Sequence, residues 1–530
     1  MADGSGADLG RRYNATQTFI DAHRGVRDDH IAIRYQGTSV TYGELAANVD
    51  RAGNALKALG IDLEDRVLIH CVDSPAFVYA FFGAIKIGAI PVPTNTLLTP
   101  HDLRYILEDA RAVAIVVSAP LLPKVLEIRK ELPRLRHVLV AAGAGAPEGR
   151  SPPGQDGVLS FDDALAAADP ELSPADTTPD DACFWLYSSG TTGFPKGAVH
   201  LQHDMLYCAE TYGAKILHTA ENDRHFTVSP LFHAYGLGNG VFFPFHVGAS
   251  TLLKPERSTP ELVYDLITRE RPTVLFTAPT FYAALLAYPE ADFAYDLSSL
   301  RFAVSAGEAL PKPLFDAWKK RFGTEILDGI GSTEMLHIFI SNIPGEARGG
   351  TSGRVVPGYR AKIVGDDGAE LPPGESGNLW VSGDSACAYY WNKHEKTKQT
   401  IRGEWLVTGD TYHLDPDGCF TYEGRSDDML KVSGQWVSPA EVEAALMGHD
   451  KVLECAVVGA KDQDELVKPK AYVILKSGNP PGDDALAEEL KTFVKGRITP
   501  YKFPRWIVFT AELPKNAAGK IQRYKLRELG

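Results

Sequence analysis

Between Arg66 and Val117 the chain alternates short, almost wholly apolar runs with stretches of helical periodicity. Arg66-Val-Leu-Ile-His-Cys-Val72 has strand length and almost no polar alternation. Ser74-Pro75 then supplies an N-cap and a proline at the first helical position, which predicts a helix running toward Gly88. Ala89-Ile-Pro-Val92 reads as a second strand, Thr99-Pro100 opens another helix, and Ala112 to Val117 is a third apolar strand. Strands this apolar are buried on both faces, so the alternation predicts a parallel sheet with helices on either side. Ala141 to Gly157 is rich in Gly, Ala and Pro without periodicity, and reads as a surface loop because strand signals resume after it.

From about Pro357 the texture changes. Asp366-Asp367-Gly368 and Asp415-Pro416-Asp417-Gly418 are turn signals between alternating segments, which predicts antiparallel hairpins. After Arg425 a last unit begins. The capping box Ser438-Pro-Ala-Glu441 starts a helix, strands follow near Leu453 to Val458 and Lys470 to Leu475, and a helix covers Asp484 to Lys495. The expected fold class is α/β. A large N-terminal domain over 1–426 holds doubly wound mixed sheets and a β-rich subdomain at about 350–426, and a small α+β domain covers 427–530.

Composition narrows the function classes. The 530 residues, 44% hydrophobic and 23% charged, suit a globular protein with a large core. The formal charge of −14 argues against nucleic acid as a partner, since no basic excess exists to release counterions. The N-terminus lacks the apolar core of a signal peptide, and the most apolar stretch, Ala76 to Pro93, is interrupted by Lys86 and falls short of the ~20 residues of a membrane span. Six widely spaced cysteines without a C-x-x-C pair read as reduced buried thiols. A cytoplasmic enzyme without a membrane partner is the expectation.

The strongest chemical signal is Ser188-Ser189-Gly190-Thr191-Thr192-Gly193-Phe194-Pro195-Lys196-Gly197. Glycines let backbone approach an anion, hydroxyls and amides donate to phosphate oxygens, and Lys196 adds a point charge. The preceding Phe184 to Tyr187 reads as a strand, which places the loop at the carboxyl edge of an open α/β sheet. It is not a Walker A loop, because Lys196 lies between Pro195 and Gly197. No G-x-S-x-G elbow occurs either, which disfavours a serine hydrolase.

This loop resembles the phosphate-binding signature of the acyl-adenylate-forming superfamily of acyl- and aryl-CoA synthetases, adenylation domains and luciferases. Gly329-Ile-Gly-Ser-Thr-Glu334, Thr408-Gly-Asp410, Gly424-Arg425-Ser-Asp427-Asp428, Lys431-Val-Ser-Gly434 and Pro514-Lys-Asn-Ala-Ala-Gly-Lys520 follow in the superfamily's order. The resemblance implies ATP, CoA and Mg²⁺ as cofactors. It implies that Ser188, Ser189, Gly190, Thr191, Thr192, Gly193 and Lys196 hold phosphates, and that Thr192 and Glu334 meet the metal. Asp410 and Arg425 are then the ribose contacts, and Glu308, Asp328, Gly329, Ser332 and Thr333 line the nucleotide. Lys520 carries the charge aimed at the α-phosphate, a hard anionic centre that a cation stabilises. Asp427 is the hinge about which a mobile C-terminal domain turns, and Lys431, Ser433, Gly434 and Trp436 face CoA.

The acid pocket is similar to that of benzoate-CoA ligases, through Pro230-Leu-Phe-His-Ala-Tyr-Gly-Leu-Gly-Asn239, Ser305-Ala-Gly-Glu-Ala-Leu-Pro311 and the continuation Met335-Leu-His-Ile338. That resemblance implies an aromatic carboxylate, benzoate, lying in a slot of Ala234, Tyr235, Ala306, Gly307, Gly331, His337 and Ile338, with His233 as a catalytic gate. A ring stacks well in a flat apolar slot. A ligase for another aryl or acyl acid, a stand-alone adenylation enzyme loading a carrier protein, and a nucleotide-binding sensor stay open as alternatives. The chain ends ten residues after Lys520, which favours free CoA as acceptor. A homodimer, and an acetyltransferase and deacetylase acting on Lys520, complete the expected partners.

Overall fold

The computed structural model describes residues 9–142, 158–190, 193–289, 294–425, 428–432, 435–462, 467–476, 482–498, 502–515 and 521–529. Its first sheet has five parallel strands in the order Ile90–Pro93, Arg66–His70, Ala114–Ser118, His137–Ala141, Val158–Ser160. Every residue of Ala114–Ser118 is buried, which accounts for its unbroken apolar run. Thr99 caps helix Pro100–Asp109 by accepting from the Asp102 amide at 3.2 Å. Ser74 does not cap helix Pro75–Lys86 as expected; its hydroxyl donates to the Val72 carbonyl instead, and proline at the first position starts the helix. Most of the expected loop, residues 143–157, lies outside the described residues.

Helices Tyr42–Ala58 and Pro75–Lys86 cross at Gly53 and Gly83. A Cβ on Gly83 would sit 2.6 Å from the Ala52 Cβ, so only glycine permits this approach. Lys86, the polar break in the apolar stretch, is fully buried with Nζ 2.6 Å from Asp21 and 2.5 Å from Asp50. A buried ammonium is tolerated because both neighbours compensate it. No described helix is long and apolar enough to cross a membrane, and all six cysteines are buried and free.

A nine-stranded sheet forms the second layer. Six of its strands are parallel neighbours: Ile326–Gly331, Phe302–Ser305, Val274–Thr277, Arg224–Thr227, Ser250–Leu253 and Ile31–Tyr35. Ile338–Ser341 turns back antiparallel beside Ile326–Gly331. The β-rich segment is a five-stranded antiparallel sheet of Arg360–Val364, Ser376–Ser382, Trp405–Leu414, Ile401–Arg402 and Phe420–Arg425. Both Asp-Gly turns fall between its strands, with Gly368 at φ +85° and Gly418 at φ +84°.

The last part of the chain builds a three-stranded sheet of Val452–Lys461, Val467–Leu475 and Trp506–Phe509. Helices Pro439–Met447 and Asp484–Lys495 share its core through Leu446, Leu490 and Val494. Ser438 accepts from the Glu441 amide as a cap, but the Glu441 carboxylate does not complete the box as expected. It accepts from Lys502 at 2.6 Å instead.

Candidate active site

The strand ends of the nine-stranded sheet gather the expected acid pocket and part of the expected nucleotide site. Thr227, Thr277 and Ser305 end three adjacent parallel strands, and Asp328 ends the parallel register of the fourth, Ile326–Gly331. From the first three leave the segments bearing His233 and Tyr235, then Thr280, then Ala306 to Glu308, while Gly329 to Gly331 continue the fourth. Ligands of open α/β sheets bind outside such ends.

The 188–197 loop is placed differently from expectation. Ala182–Gly190 pairs antiparallel with Gly193–Leu201, and Tyr389–Tyr390 pairs on the far side. The loop is therefore the tip of a hairpin in its own three-stranded sheet, and not the outlet of a parallel strand. An apolar strand before a glycine-rich loop does not reveal which sheet the strand joins. Thr191 and Thr192 lie outside the described residues, as do Asp427, Ser433, Gly434 and Lys520. Only backbone is described for Ser189, Gly190, Gly193, Lys431 and Trp436; Gly190 pairs with Gly193, and Lys431 with Trp436.

The turn between Ile326–Gly331 and Ile338–Ser341 carries two groups of the site. At one end Glu334 Oε1 accepts from the Tyr390 hydroxyl at 2.6 Å and lies 3.4 Å from both Lys196 Nζ and Ser188 Oγ. Lys196 also donates to the Tyr390 hydroxyl at 3.0 Å and sits 4.3 Å above that ring. Burial pushes the Glu334 carboxyl up, yet the Lys196 charge and the Tyr390 hydroxyl outweigh it and hold it below the usual range. The carboxylate is thus ionised. Tyr390 joins the candidate site unmarked by the sequence, because nothing in Ala388-Tyr-Tyr-Trp391 singles out one tyrosine for an acid 56 residues earlier.

Within the turn, Ser332 Oγ accepts from the Met335 amide at 3.1 Å, and Leu336 adopts φ +63°, a left-handed conformation costly for a bulky residue. At the other end His337 is buried, with Nε2 3.4 Å from the Tyr235 carbonyl oxygen. Its ring stacks beside Tyr235 at 5.7 Å and meets Phe243 edge-on at 4.6 Å. Burial pushes the His337 imidazole down to about 3, and that of His233 down to about 4, so both rings are neutral. Tyr235 anchors by donating to the Val304 carbonyl at 2.9 Å. Ala234 and Ala306 are buried; Ile338 is also buried, with its side chain over Gly329. A Cβ on Gly331 would meet the His337 carbonyl at 2.5 Å.

Three further groups of the expected site are also placed. Glu308 accepts from Thr280 Oγ1 at 2.9 Å; Thr280 is a second residue that no sequence motif marked. Asp328 is buried and its carboxyl is pushed well above the ordinary range by burial. Asp410 and Arg425 face each other across paired strands, with Arg425 Nη1 donating to Asp410 Oδ1 at 3.0 Å and to the Thr408 carbonyl at 3.1 Å. Gly409 has φ +76°, and a Cβ there would lie 2.8 Å from the Arg425 guanidinium, so the middle residue of Thr-Gly-Asp is fixed by contact and conformation together.

The sequence matches the AMP-binding enzyme family over residues 20–391 and the AMP-binding enzyme C-terminal domain over residues 441–520. It is 48% identical to the benzoate-CoA ligase of Thauera aromatica over 522 residues, covering 97% of this chain and 96% of that protein. The crystal structure of an anthranilate CoA ligase in complex with anthranoyl-AMP superposes with a TM-score of 0.94 at 44% identity, covering 99% and 98% of the two chains. A benzoate CoA ligase from Burkholderia xenovorans LB400 gives a TM-score of 0.88 at 42% identity, covering 97% of this chain and 100% of that one. Motif order, sheet architecture and similarity along nearly the full length agree: this chain belongs to the AMP-binding enzyme family.

Proposed function

We propose that this protein is an ATP-dependent, AMP-forming aryl-CoA ligase that converts benzoate, ATP and CoA to benzoyl-CoA, AMP and diphosphate. The observation that carries the reading is the Ser332–His337 turn, which joins an ionised, cation-flanked carboxylate to a neutral aromatic wall. A benzoate seated there has its ring beside Tyr235 and its carboxylate toward the phosphate side. The reaction begins when a benzoate oxygen attacks the α-phosphorus; the bond to diphosphate breaks and diphosphate leaves with the electron pair. The CoA thiol then gives up its proton to water as its sulfur attacks the acyl carbon; the bond from that carbon to the AMP oxygen breaks and AMP leaves with the electron pair.

Within this reading Lys196 and the 188–197 hairpin tip hold the ATP phosphates, Asp410 accepts from the ribose hydroxyls, and Arg425 fixes Asp410. Glu334 suits a hard divalent cation, because it is ionised and buried, and no cluster of three or more His, Cys, Asp or Glu side chains exists among the described residues to hold a metal without help. Magnesium of this kind takes one or two carboxylates and fills its remaining positions with phosphate oxygens and water. Glu334 with Thr192 would hold it, and when bound it neutralises phosphate charge. Residues 1–426 and 427–530 act as two domains turning about Asp427, Lys520 serves the first half-reaction, and the Lys431 to Trp436 hairpin serves the second.

Pyrophosphate release measured over benzoate, hydroxybenzoates, cyclohexane carboxylate and medium-chain fatty acids, with and without CoA, tests the reading. Benzoate is expected to lead and turnover to require CoA. A preference for a fatty acid sinks the aryl pocket, and CoA-independent turnover sinks the acceptor. Lys520→Ala should abolish adenylate formation and spare thioester formation from preformed benzoyl-adenylate. Equal loss of both steps refutes the two-state assignment.

A further inference from the structure

We propose that His200, braced by Asp204, is a positioning residue that fixes Glu334; this rests on the reading of Glu334 as the carboxylate of the MgATP site. His200 and Lys196 lie on strand Gly193–Leu201. Their spacing puts both on one strand face, since side chains alternate with a period of two. Lys196 meets the Glu334 side chain, and His200 meets the main chain of the residue before it. His200 Nε2 is 2.8 Å from the Thr333 carbonyl oxygen, and Nδ1 is 2.7 Å from Asp204 Oδ2. One strand therefore grips the turn twice.

Each ring nitrogen thus has an oxygen partner, a backbone carbonyl at Nε2 and a carboxyl group at Nδ1. Both side chains are fully buried, so the ring is held between these two partners away from water. Asp204 Oδ2 also accepts from the Leu201 amide at 3.1 Å, and its other oxygen lies 3.3 Å from His203 Nε2. The ring stacks on Phe184 at 5.2 Å. The next two carbonyls of the turn are held from another segment: Glu334 O accepts from the Cys387 amide at 2.7 Å, and Met335 O from Ser385 Oγ at 2.8 Å. Three consecutive carbonyls are thus pinned immediately before Leu336, the residue in the left-handed conformation. A turn holding that conformation needs outside restraint, and His200 supplies the one on the peptide that leads into Glu334.

The test compares His200→Leu, which removes the donor, with His200→Gln, which keeps an N–H able to reach a carbonyl. Calorimetric MgATP affinity without acid, benzoate KM and melting temperature are measured for each. His200→Leu should weaken MgATP binding roughly tenfold while benzoate KM stays within about twofold, and His200→Gln should recover most of the loss. If His200→Leu does not fold, Asp204→Asn replaces it with the same expected pattern. A lowered melting temperature with unchanged MgATP affinity, or a glutamine no better than leucine, overturns the positioning role. Glu334→Gln in the same titration separates the two readings. If it leaves MgATP affinity intact, the assignment of Glu334 fails. If it weakens binding and His200→Leu does not, only the role of His200 fails.

Discussion

The two ends of the Ser332–His337 turn treat charge in opposite ways. At Glu334 burial opposes ionisation, but a lysine and a phenol hydroxyl converge on one carboxylate oxygen and keep it charged. At His337 burial also opposes ionisation, and the surrounding rings offer no anion, so the imidazole stays neutral down to about pH 3. Burial alone therefore does not decide the electrostatics of this cleft; the donors placed around each group do. The result is a turn a few residues long with an ionised group in its middle and a neutral aromatic cluster at its end.

The largest break in this contrast should come from Glu334→Gln, which removes the charge at the polar end. Adenylation kcat/KM, read by ATP–pyrophosphate exchange, should fall by roughly 10²–10³, the cost of losing one preorganised electrostatic partner. A loss below about tenfold would take Glu334 out of the chemistry. Tyr390→Phe keeps the ring and removes the 2.6 Å bond to Glu334. A hydrogen bond to a charged group is worth about 1.5–3 kcal/mol, so a loss of roughly 10- to 100-fold is expected. Because that bond lowers the Glu334 pKa, its removal raises it, and the acid limb of the pH–rate profile should move to higher pH. An unmoved limb would mean that Lys196 alone sets the charge.

At the apolar end His337→Phe should act on stability. The folded-state pKa of His337 lies near 3 and the unfolded value near 6.5. Between them the unfolded chain binds the extra proton, so stability is lost as pH falls through this window. Replacing His337 by Phe should remove up to about 1.4 kcal/mol per pH unit of that slope, measured by urea unfolding between pH 4 and 6. An unchanged slope would show that His337 is not the buried neutral group described. The smallest effect is expected from Gly409→Ala, which forces a side chain into φ +76° against Arg425. It should cost about 1 kcal/mol in stability and raise the ATP KM, leaving the benzoate KM unchanged.

Much of this was legible in the sequence because it depends on short-range patterns. The parallel sheet from Arg66 to Ser118, the Asp-Gly hairpin turns and helix Asp484–Lys495 each rest on periodicity and local turn chemistry. The pairing of Asp410 with Arg425 was implied only as membership in one ribose site. What stayed hidden was relational. Tyr390 reaches Glu334 because Tyr389–Tyr390 pairs with Gly193–Leu201, and no local signal encodes that register. The hairpin placement of the 188–197 loop was missed for the same reason. The hydroxyls of Ser74 and Thr99 precede prolines alike, yet only Thr99 caps, since Ser74 turns back to Val72.

The four adjacent strand ends have an evolutionary consequence. The Ser332–His337 turn is pinned by bonds from several segments, so drift there is penalised. The residues expected to read the acid, around His233–Tyr235 and Ala306–Gly307, leave from other strands on separate connections. Gly307 has open space where a Cβ would point, but its φ of +94° strains any side chain there. Within the proposed reading, changes of acid preference are expected on these separate connections, where Tyr235 touches the turn through His337. The scaffold keeps the inheritance of a reaction separate from the inheritance of a diet.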